Sequence, residues 1–501
     1  MPERTVSSRG DVVAVIDIGS NSGRVMVFQR ETSSHLRLLT GSRAPLRLVH
    51  DVDTRGELTD ATMARTTEAL RDFQAIAKGA GANRIVAVAT AAMRDAANGA
   101  LFAARLQREL GIRIEIIGGE VEARYGFTGA VRGLDVSSGL LFDLGGGSMQ
   151  ITRFMRRRQA EAVSLPFGAL RLSERFLESD PPTSKQLRRL RNHVRRHLAK
   201  TRVARLATSD RLVGTGGTLR NLAKIDRYTR RYPIGWLHGY ELSVDRLGDV
   251  IEVLASTKAK RRDEVPGLSA DRADSIVGGA VAIQTLAEFL RVRHIVVSGQ
   301  GVREGLALGL LKIAMGSLES VKEASVSSLV SRFDGWTPDA ASRRRGVASA
   351  LRRALEPRAP ATVVSAIDHA ARVLDIGRSL DVVNRHEHVA DILLSTELNG
   401  FTHYELALVS AIVRRAGDRH ADVLPLALAG DASSGLLDRA AIILALADEI
   451  QARCPGTGRI AVNCTIGRHV TLSVPLLPSW LAKDLDKRFE HAFGRSLVVR
   501  H

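Results

Sequence analysis

Two short stretches decide the fold of this chain: VVAVIDIGSNSGRVMVFQ at residues 12–29 and GLLFDLGGGSMQIT at residues 139–152. Each has an apolar strand with an aspartate near its end, a loop of small Gly and Ser residues, and a second apolar strand. Because one strand–loop–strand unit occurs twice, the sequence predicts an internally duplicated α/β protein. Helical and strand patterns alternate between and after the two copies, which favours parallel or mixed sheets covered by helices.

The composition is that of a globular protein with a strong positive charge. Of the 501 residues, 45% are hydrophobic and 25% are charged, and the formal net charge is +18. This charge favours polyanionic ligands, although solvated faces of Arg-rich helices would give the same balance. Aromatic residues make up only 4%, which is a poor supply of platforms for stacking on bases. A phosphate-only polymer is therefore favoured over RNA or DNA, and no specific nucleic acid is expected.

Signals for secretion and for membrane insertion are missing from the sequence. The two cysteines, Cys454 and Cys464, lack the spacing of a zinc site and do not suggest a disulfide scaffold. The first residues, MPERTVSSRGD, contain no apolar core of a signal peptide. No uncharged apolar run reaches the roughly 18 residues of a membrane span. We therefore expect a cytoplasmic protein without a membrane partner.

The two Gly/Ser loops carry groups suited to phosphate and to a metal ion. Small residues leave backbone N–H groups free and let the backbone approach a phosphate closely. Asp17 and Asp143 end their strands where a carboxylate holds Mg²⁺ directly or through water. Additional donors are Ser20, Asn21, Ser22 and Ser148. One such loop is more often a structural turn, but two of the same kind in one chain favour phosphate binding.

Two further Gly-rich turns follow predicted strands. The first, GTGGT at residues 214–218, opens a predicted helix, whose N-terminus favours an anion near Gly216, Gly217 and Thr218. The second is SGQG at residues 298–301. Each turn alone is more often structural. Because all four loops follow strands, however, we expect them to cluster at one edge of the sheets, where α/β proteins bind ligands.

The order of several motifs resembles that of a known enzyme family. These motifs are DIGSNSGRV, ATAAMRDAANG, IGGEVEARYGF, FDLGGGSMQI, SLPFGALRL, GTGGTLRNL and VVSGQGVREG. They are similar to the exopolyphosphatase/guanosine-pentaphosphate phosphohydrolase family, part of the actin, sugar-kinase and heat-shock ATPase-like superfold. The resemblance implies duplicated actin-like ATPase-type (ribonuclease H-like) domains at residues 10–135 and 136–312. A mainly helical, HD-like C-terminal domain, ending in a small strand-containing region, would follow at residues 313–501.

The resemblance also implies roles for individual residues. Asp17 and Asp143 would hold Mg²⁺, with any additional monovalent cation left open. The terminal phosphates would be bound by Ser20, Asn21, Ser22, Gly145, Gly146, Gly147 and Ser148. Arg94 would neutralise a phosphate and Glu122 would take a proton from the attacking water, or orient that water. Gly118 and Val121 depart from the usual family pattern around this glutamate, which leaves Glu120 as a second candidate.

The C-terminal region resembles the HD-type helical domain of long family members. Leu374 replaces the His of the usual His–Asp pair, and Asp375 remains. His386, His388 and Asp391 are metal-ligand types but lack the full pattern. The prediction is therefore a packing or dimerisation role, with a longer channel for a polyanion, and the resemblance implies a homodimer.

The resemblance favours an exopolyphosphatase that removes the terminal phosphate of inorganic polyphosphate with Mg²⁺. The basic stretches at residues 188–200 and 258–262 are candidates for a track that binds the rest of the chain. Three alternatives stay open: a guanosine pentaphosphate 5′-phosphohydrolase, a kinase or ATP-driven protein on the same fold, and a non-catalytic polyphosphate-binding regulator.

Overall fold

The computed structural model describes residues 11–32, 34–201, 206–417, 434–454, 456–474 and 483–500. Two compact units emerge from its internal contacts. The first runs to Ala324, and the second begins at Ser325 and includes the short segment Pro233–Trp236. The domain boundaries at residues 135/136 and 312/313 stay predictions, and the outer ends of the predicted domains, residues 10 and 501, lie outside the described residues.

The first lobe of unit one is a five-stranded sheet with its helices. Its strand order is β3-β2-β1-β4-β5, with β1 antiparallel to β2 and parallel to β4. The strands are β1 Val12–Ile18, β2 Ser22–Thr32, β3 His35–Pro45, β4 Arg84–Ala89 and β5 Ile114–Ile116. The helices are α1 Leu48–Arg55, α2 Asp60–Gly79, α3 Ala91–Asp95 and α4 Gly99–Leu110. Val25, Leu70 and Phe73 lie in its core, so burying apolar side chains of both helix and strand stabilises this lobe.

The second lobe of unit one is a six-stranded sheet in the order β10-β11-β9-β6-β7-β8. Its strands are β6 Gly139–Leu144, β7 Met149–Met155, β8 Arg158–Leu165, β9 Arg211–Thr215, β10 Tyr240–Ser243 and β11 His294–Val297. Its helices are α6 Ala169–Phe176, α7 Ser184–Leu198, α8 Gly217–Thr229, α9 Val244–Ser256 and α10 Ile276–Phe289. The buried face of α10 packs with Phe142 and Leu219 in the core of this lobe.

The same hairpin is present in both lobes. In the first lobe, Asp17 of β1 lies opposite Arg24 of β2 in the strand register, and the Gly19 N–H donates to the Ser22 carbonyl. In the second, Asp143 pairs with Gln150, and the Gly145 N–H donates to the Ser148 carbonyl. The central strand of each hairpin also pairs in parallel with a later strand, β4 or β9. The repeated strand–loop–strand unit predicted from the sequence therefore forms twice.

Two helices join the lobes, α5 (Gly119–Arg132) and α11 (Val302–Leu310). Helix α11 covers one face of the first sheet, and Phe127 and Val131 of α5 pack on the second sheet. The helices cross at Gly129 and Gly305 with no room for a side chain. A Cβ on Gly129 would lie 1.9 Å from the Gly301 carbonyl oxygen, and a Cβ on Gly305 would lie 1.9 Å from the Tyr125 carbonyl oxygen. The two glycines therefore set how closely the backbones approach.

The second unit is mainly helical in its described part. Its helices are α12 Leu318–Val330, α13 Pro338–Leu355, α14 Ala361–Val373, α15 Arg385–Ser395, α16 His403–Ala416, α17 Ser434–Arg453 and α18 Lys483–Phe493, of which α12 begins in the first unit. A small sheet follows the order β12-β13-β14, formed by Asn463–Ile466, Val470–Ser473 and Leu497–Arg500. Helices with a few late strands are what the sequence predicted for this region.

The helix crossing gives a stability test. Gly305→Ala places a methyl group against the α5 backbone and should lower the free energy of unfolding of the first unit by about 1–3 kcal/mol. Gly309→Ala, on the same helix, meets nothing within 4 Å and should be neutral or stabilising by up to about 1 kcal/mol. Urea unfolding of the two variants measures the difference. Equal stabilities would contradict the close crossing.

Candidate active site

The four Gly-rich loops meet at one cleft in the first unit. The cleft has a volume of about 790 Å³, including the solvent at its mouth. Its lining from the first and second loops includes Gly19, Ser20, Asn21, Ser22, Gly145, Gly146, Gly147 and Ser148. The third and fourth loops contribute Thr215, Gly216, Gly217 and Gly301, and Val302 at the start of α11 also lines the cleft. The expected clustering of loops at one sheet edge is therefore present, with backbone N–H groups of both repeats in one place.

The first and second loops touch each other across the cleft. A Cβ on Gly147 would lie 3.0 Å from the Ser20 Oγ. Behind the second loop, a Cβ on Gly168 would lie 2.3 Å from the Gly146 carbonyl carbon, so the backbone passes too closely for any side chain. The Gly146 carbonyl also accepts from the Leu170 N–H at the start of α6. The second loop is thus held from one side by α6 and faces the first loop on the other.

Three carboxylates line the cleft: Asp17, Asp143 and Glu122. Burial raises the pKa of Asp17, and it raises the pKa of Asp143 to about 6 despite nearby Arg220. Burial and the charges of Asp143 and Asp17 together raise the pKa of Glu122 to about 8. Negative charges in one desolvated cleft oppose each other, so the arrangement favours a proton or a cation among them.

Glu122 and Glu120 occupy different environments. Both lie in the first turn of α5, but Glu120 is exposed and Glu122 lines the cleft. The Glu122 Oε2 is buried and, within the described ranges, accepts no hydrogen bond from a protein group. Arg94 Nη1 lies 3.8 Å away, beyond hydrogen-bond distance. The geometry therefore places Glu122, not Glu120, where it can accept a proton in the cleft.

Two residues predicted from the sequence lie outside the cleft lining. Arg94 donates to the Ile117 carbonyl at 2.8 Å and stands beside Glu122, with its side chain 31% exposed. Thr218 is fully buried, and its methyl group faces Gly279 of α10. Arg94 is thus close enough to influence the charge of Glu122, whereas the Thr218 side chain packs in the lobe core.

Sequence reasoning missed four arginines that line the cleft: Arg24, Arg220, Arg272 and Arg303. Three of them lie inside the motifs DIGSNSGRV, GTGGTLRNL and VVSGQGVREG, where attention to glycines passed over the arginine. The signal was an arginine within a few residues of three of the four small loops. Arg272 lies in a turn before α10 with no comparable motif.

The four guanidinium groups repel one another. Burial, together with the charges of Arg220 and Arg303, lowers the pKa of Arg24 to about 8. Burial likewise lowers the pKa of Arg220 to about 10. The Arg303 Nε lies 4.0 Å from an Asp17 oxygen, so the cationic and acidic groups are adjacent. Such a site favours a multiply charged anion, because its oxygens pair with the guanidinium groups and offset their repulsion.

In the part of the chain that the structure describes, no group of three His, Cys, Asp or Glu side chains is arranged to hold a metal ion. This is compatible with Mg²⁺, which proteins often bind through one or two carboxylates with phosphate oxygens and water as the remaining ligands. Asp17 and Asp143, with their raised pKa values and acidic neighbours, are the carboxylates suited to that role.

The two acids noted in the C-terminal region, Asp375 and Asp391, are paired with arginines. Asp375 accepts from Arg344 at 2.6 Å and from Arg378 at 2.7 Å. Asp391 forms an ion pair with Arg414. Burial lowers the pKa of His386 to about 4, and the nearby Arg385 acts in the same direction. Arginines thus neutralise both acids.

Hydropathy gives one further finding on the described helices. None of them is both long enough and apolar enough to cross a lipid bilayer.

Comparison with known proteins identifies the family to which this sequence is similar. The sequence model of the Ppx/GppA phosphatase family matches residues 27–314. Exopolyphosphatase 1 of Mycobacterium tuberculosis is 30% identical over 342 residues, covering 67% of this chain and 98% of that protein. Exopolyphosphatase 2 of the same species is 32% identical over 314 residues, covering 60% and 98%. Residues 27–314 include most of the first unit and the second, third and fourth loops of the cleft, whereas the first loop lies before residue 27.

Solved structures show the same similarity. The Aquifex aeolicus member of the Ppx/GppA protein family has a TM-score of 0.53 and 28% identity, covering 60% of this chain and 98% of its own. An exopolyphosphatase from Cytophaga hutchinsonii has a TM-score of 0.55, covering 61% and 100%. Because it is only 23% identical, it supports the fold alone.

Glu122 gives a test of cleft electrostatics. Its pKa is about 8 when folded and 4.5 as its ordinary value, so the folded state retains a proton that the unfolded state loses between these pH values. The Glu122 contribution to stability therefore falls as pH rises through this range. The free energy of unfolding of Glu122→Gln should equal that of the wild type near pH 4. At pH 9 it should be higher by on the order of 2–4 kcal/mol.

Thermal and urea unfolding at the two pH values, without metal or phosphate, measures this difference. Glu120→Gln is the matched control, because Glu120 is exposed on the same helical turn. A stability difference between Glu122→Gln and the wild type that does not change with pH would contradict the buried, charge-opposed Glu122.

Proposed function

Because this chain belongs to the Ppx/GppA phosphatase family, we propose that it is an exopolyphosphatase, which hydrolyses the terminal phosphate of inorganic polyphosphate. The observation that carries the proposal is the cleft where two Gly/Ser loops, four arginines and three carboxylates meet. Backbone N–H groups and guanidinium forks are donors suited to phosphate oxygens. The mycobacterial relatives named exopolyphosphatase support the same activity.

The reaction needs a water molecule, a terminal phosphoryl group and a proton acceptor. The water oxygen attacks the terminal phosphorus in line, the bond to the bridging oxygen breaks, and orthophosphate leaves the shortened chain. Glu122 accepts the proton of the attacking water, and its pKa of about 8 suits a base near neutral pH. The loop N–H groups and the arginines stabilise the equatorial oxygens, so positioning and electrostatics lower the barrier.

Mg²⁺ is the cofactor that the acidic side of the cleft fits best. Asp17 and Asp143 would hold the ion, with phosphate oxygens and water as its other ligands. When bound there, the ion would neutralise charge on the phosphates and on the leaving oxygen. The chain's own arginines act on the remaining oxygens, which explains why both signs of charge are buried in one cleft.

The family resemblance also supports proposals about the rest of the protein. The mainly helical second unit is proposed to be HD-like, and the chain is proposed to form a homodimer in the cytoplasm. Light scattering coupled to size-exclusion chromatography would measure the mass. A homodimer should have twice the 54.2 kDa of one chain. Polyphosphate is favoured over guanosine pentaphosphate as substrate, because the net charge of +18 suits a long polyanion.

The glutamate assignment predicts a difference between two neighbours on one helical turn. Glu122→Gln should lower kcat for phosphate release from polyphosphate by about 10²–10⁴-fold, because the proton acceptor is lost. Glu120→Gln should retain the wild-type rate, because Glu120 is exposed outside the cleft. Orthophosphate is measured with Mg²⁺, using polyphosphate and guanosine pentaphosphate in separate reactions.

Each outcome has a distinct meaning. A loss of kcat in Glu122→Gln alone would support Glu122 as the proton acceptor. Equal losses in both variants, or a loss in neither, would reject that role. A wild type that acts only on the nucleotide would exclude polyphosphate as substrate. A wild type that binds polyphosphate yet releases no orthophosphate from either compound would identify a binding protein instead of an enzyme.

A further inference from the structure

Helix α6 spans the two lobes beside the cleft. It follows the close approach of Gly168 to the second loop. Leu172 is buried in the core of the second lobe, whereas Leu170, two residues earlier, is buried in the core of the first. Arg171 lies between them, in the motif SLPFGALRL, and has no part in the proposed chemistry. Its backbone is therefore fixed by packing on both sides.

The Arg171 side chain contacts three separate segments. Its Nε donates to both carboxylate oxygens of Asp53 in α1, at 2.9 and 3.0 Å. Its Nη2 donates to Asp95, the last residue of α3, at 3.1 Å, and its Nη1 donates to the Gly147 carbonyl at 3.2 Å. Asp53 and Asp95 belong to the first lobe and Gly147 belongs to the second. The guanidinium group therefore bonds the second phosphate loop to the first lobe.

The bond to Gly147 has a consequence on the opposite side of the same peptide group. A planar trans peptide directs its carbonyl and its N–H in opposite directions. Because Arg171 holds the Gly147 carbonyl, the Ser148 N–H is directed away from Arg171. Gly147 and Ser148 both line the cleft, and the Ser148 carbonyl is fixed by the Gly145 N–H at 3.0 Å. Both peptide groups that flank Ser148 are thus fixed.

The acidic partners connect Arg171 to the proposed base as well. Asp95 directly follows Arg94, whose Nη1 lies 3.8 Å from the Glu122 Oε2. The Arg171 side chain is 18% exposed, and those of Asp53 and Asp95 are 30% and 38% exposed. Exposed pairs of this kind contribute little to stability. A guanidinium group with four directed hydrogen bonds is better suited to fixing geometry.

We propose that Arg171 is a positioning residue, which holds the second phosphate loop against the first lobe so that the Ser148 N–H faces the terminal phosphate. The proposal rests on the hydrolase function proposed above. A shift of about 1 Å in a group that binds the reacting phosphate can cost about 10²-fold in rate. Arg171 would therefore act on turnover without touching the substrate.

The test compares Arg171→Met and Arg171→Lys with Arg175→Met. Arg175 is one turn further along α6, exposed, and placed over the Phe176 ring, so it is a matched control. Arg171→Met should lower kcat for orthophosphate release by about 10²-fold, with a much smaller change in KM. Arg171→Lys keeps the charge but loses the planar fork, so its kcat should be intermediate. Arg175→Met should match the wild type.

Hydrogen exchange of the amides at residues 145–148, without substrate, gives a readout that is independent of activity. Exchange should be faster in Arg171→Met and unchanged in Arg175→Met. Should Arg171→Met fail to fold, Asp53→Asn serves the same comparison, because it weakens two of the four hydrogen bonds and leaves the arginine in place. Loop exchange should again rise.

The outcomes separate this proposal from the proposed function. Unchanged loop exchange in the variant, or a fall in thermal stability with unchanged kcat, would overturn the positioning role. If loop exchange is faster in Arg171→Met but the wild type releases no orthophosphate, Arg171 does hold the second loop and the proposed hydrolase function is rejected.

Discussion

Buried charge of both signs in one cleft is the constraint on which the first unit depends. Four arginines and three carboxylates share a space that seven glycines also line. Burial lowers the pKa of Arg24 and raises that of Glu122, so the cleft disfavours each sign of charge on its own. Only a rigid surrounding structure keeps such groups together, and a bound polyanion with a cation would satisfy both.

The duplicated hairpin explains how the fold brings these groups to one point. In each lobe an aspartate lies one residue before the end of the strand that enters the hairpin, and the loop follows directly, so the two aspartates and the two loops line the same cleft. Helices α5 and α11 then bring Glu122 and Arg303 to the same cleft, because their backbones are in direct contact where they cross at Gly129 and Gly305. Sheet pairing and glycine packing, not the charged groups themselves, hold the site together.

The sequence predicted the parts of the site that depend on local pattern. Loops of small residues after strands are visible as repeats, so Ser20 and Ser148 were found. Arg220 was missed because a lone arginine after a turn is usually on the surface. Here its guanidinium donates to the Gly299 carbonyl, 79 residues away in the chain, and lines the cleft. Thr218 was predicted from its helix N-terminus, but helix rotation directs it to α10. The partner of Asp375, Arg344, lies on a different helix, 31 residues away, and no local pattern indicates that pairing.

The central claim is that the cleft removes phosphate only from chain ends. Phosphorus NMR during hydrolysis of long-chain polyphosphate with Mg²⁺ measures orthophosphate, terminal groups and internal groups separately. Removal from the end predicts that orthophosphate rises and internal groups decline while the number of terminal groups stays constant until the chains are short. A rise in terminal groups would show internal cleavage, and no orthophosphate would show no hydrolysis. Either result would contradict the account.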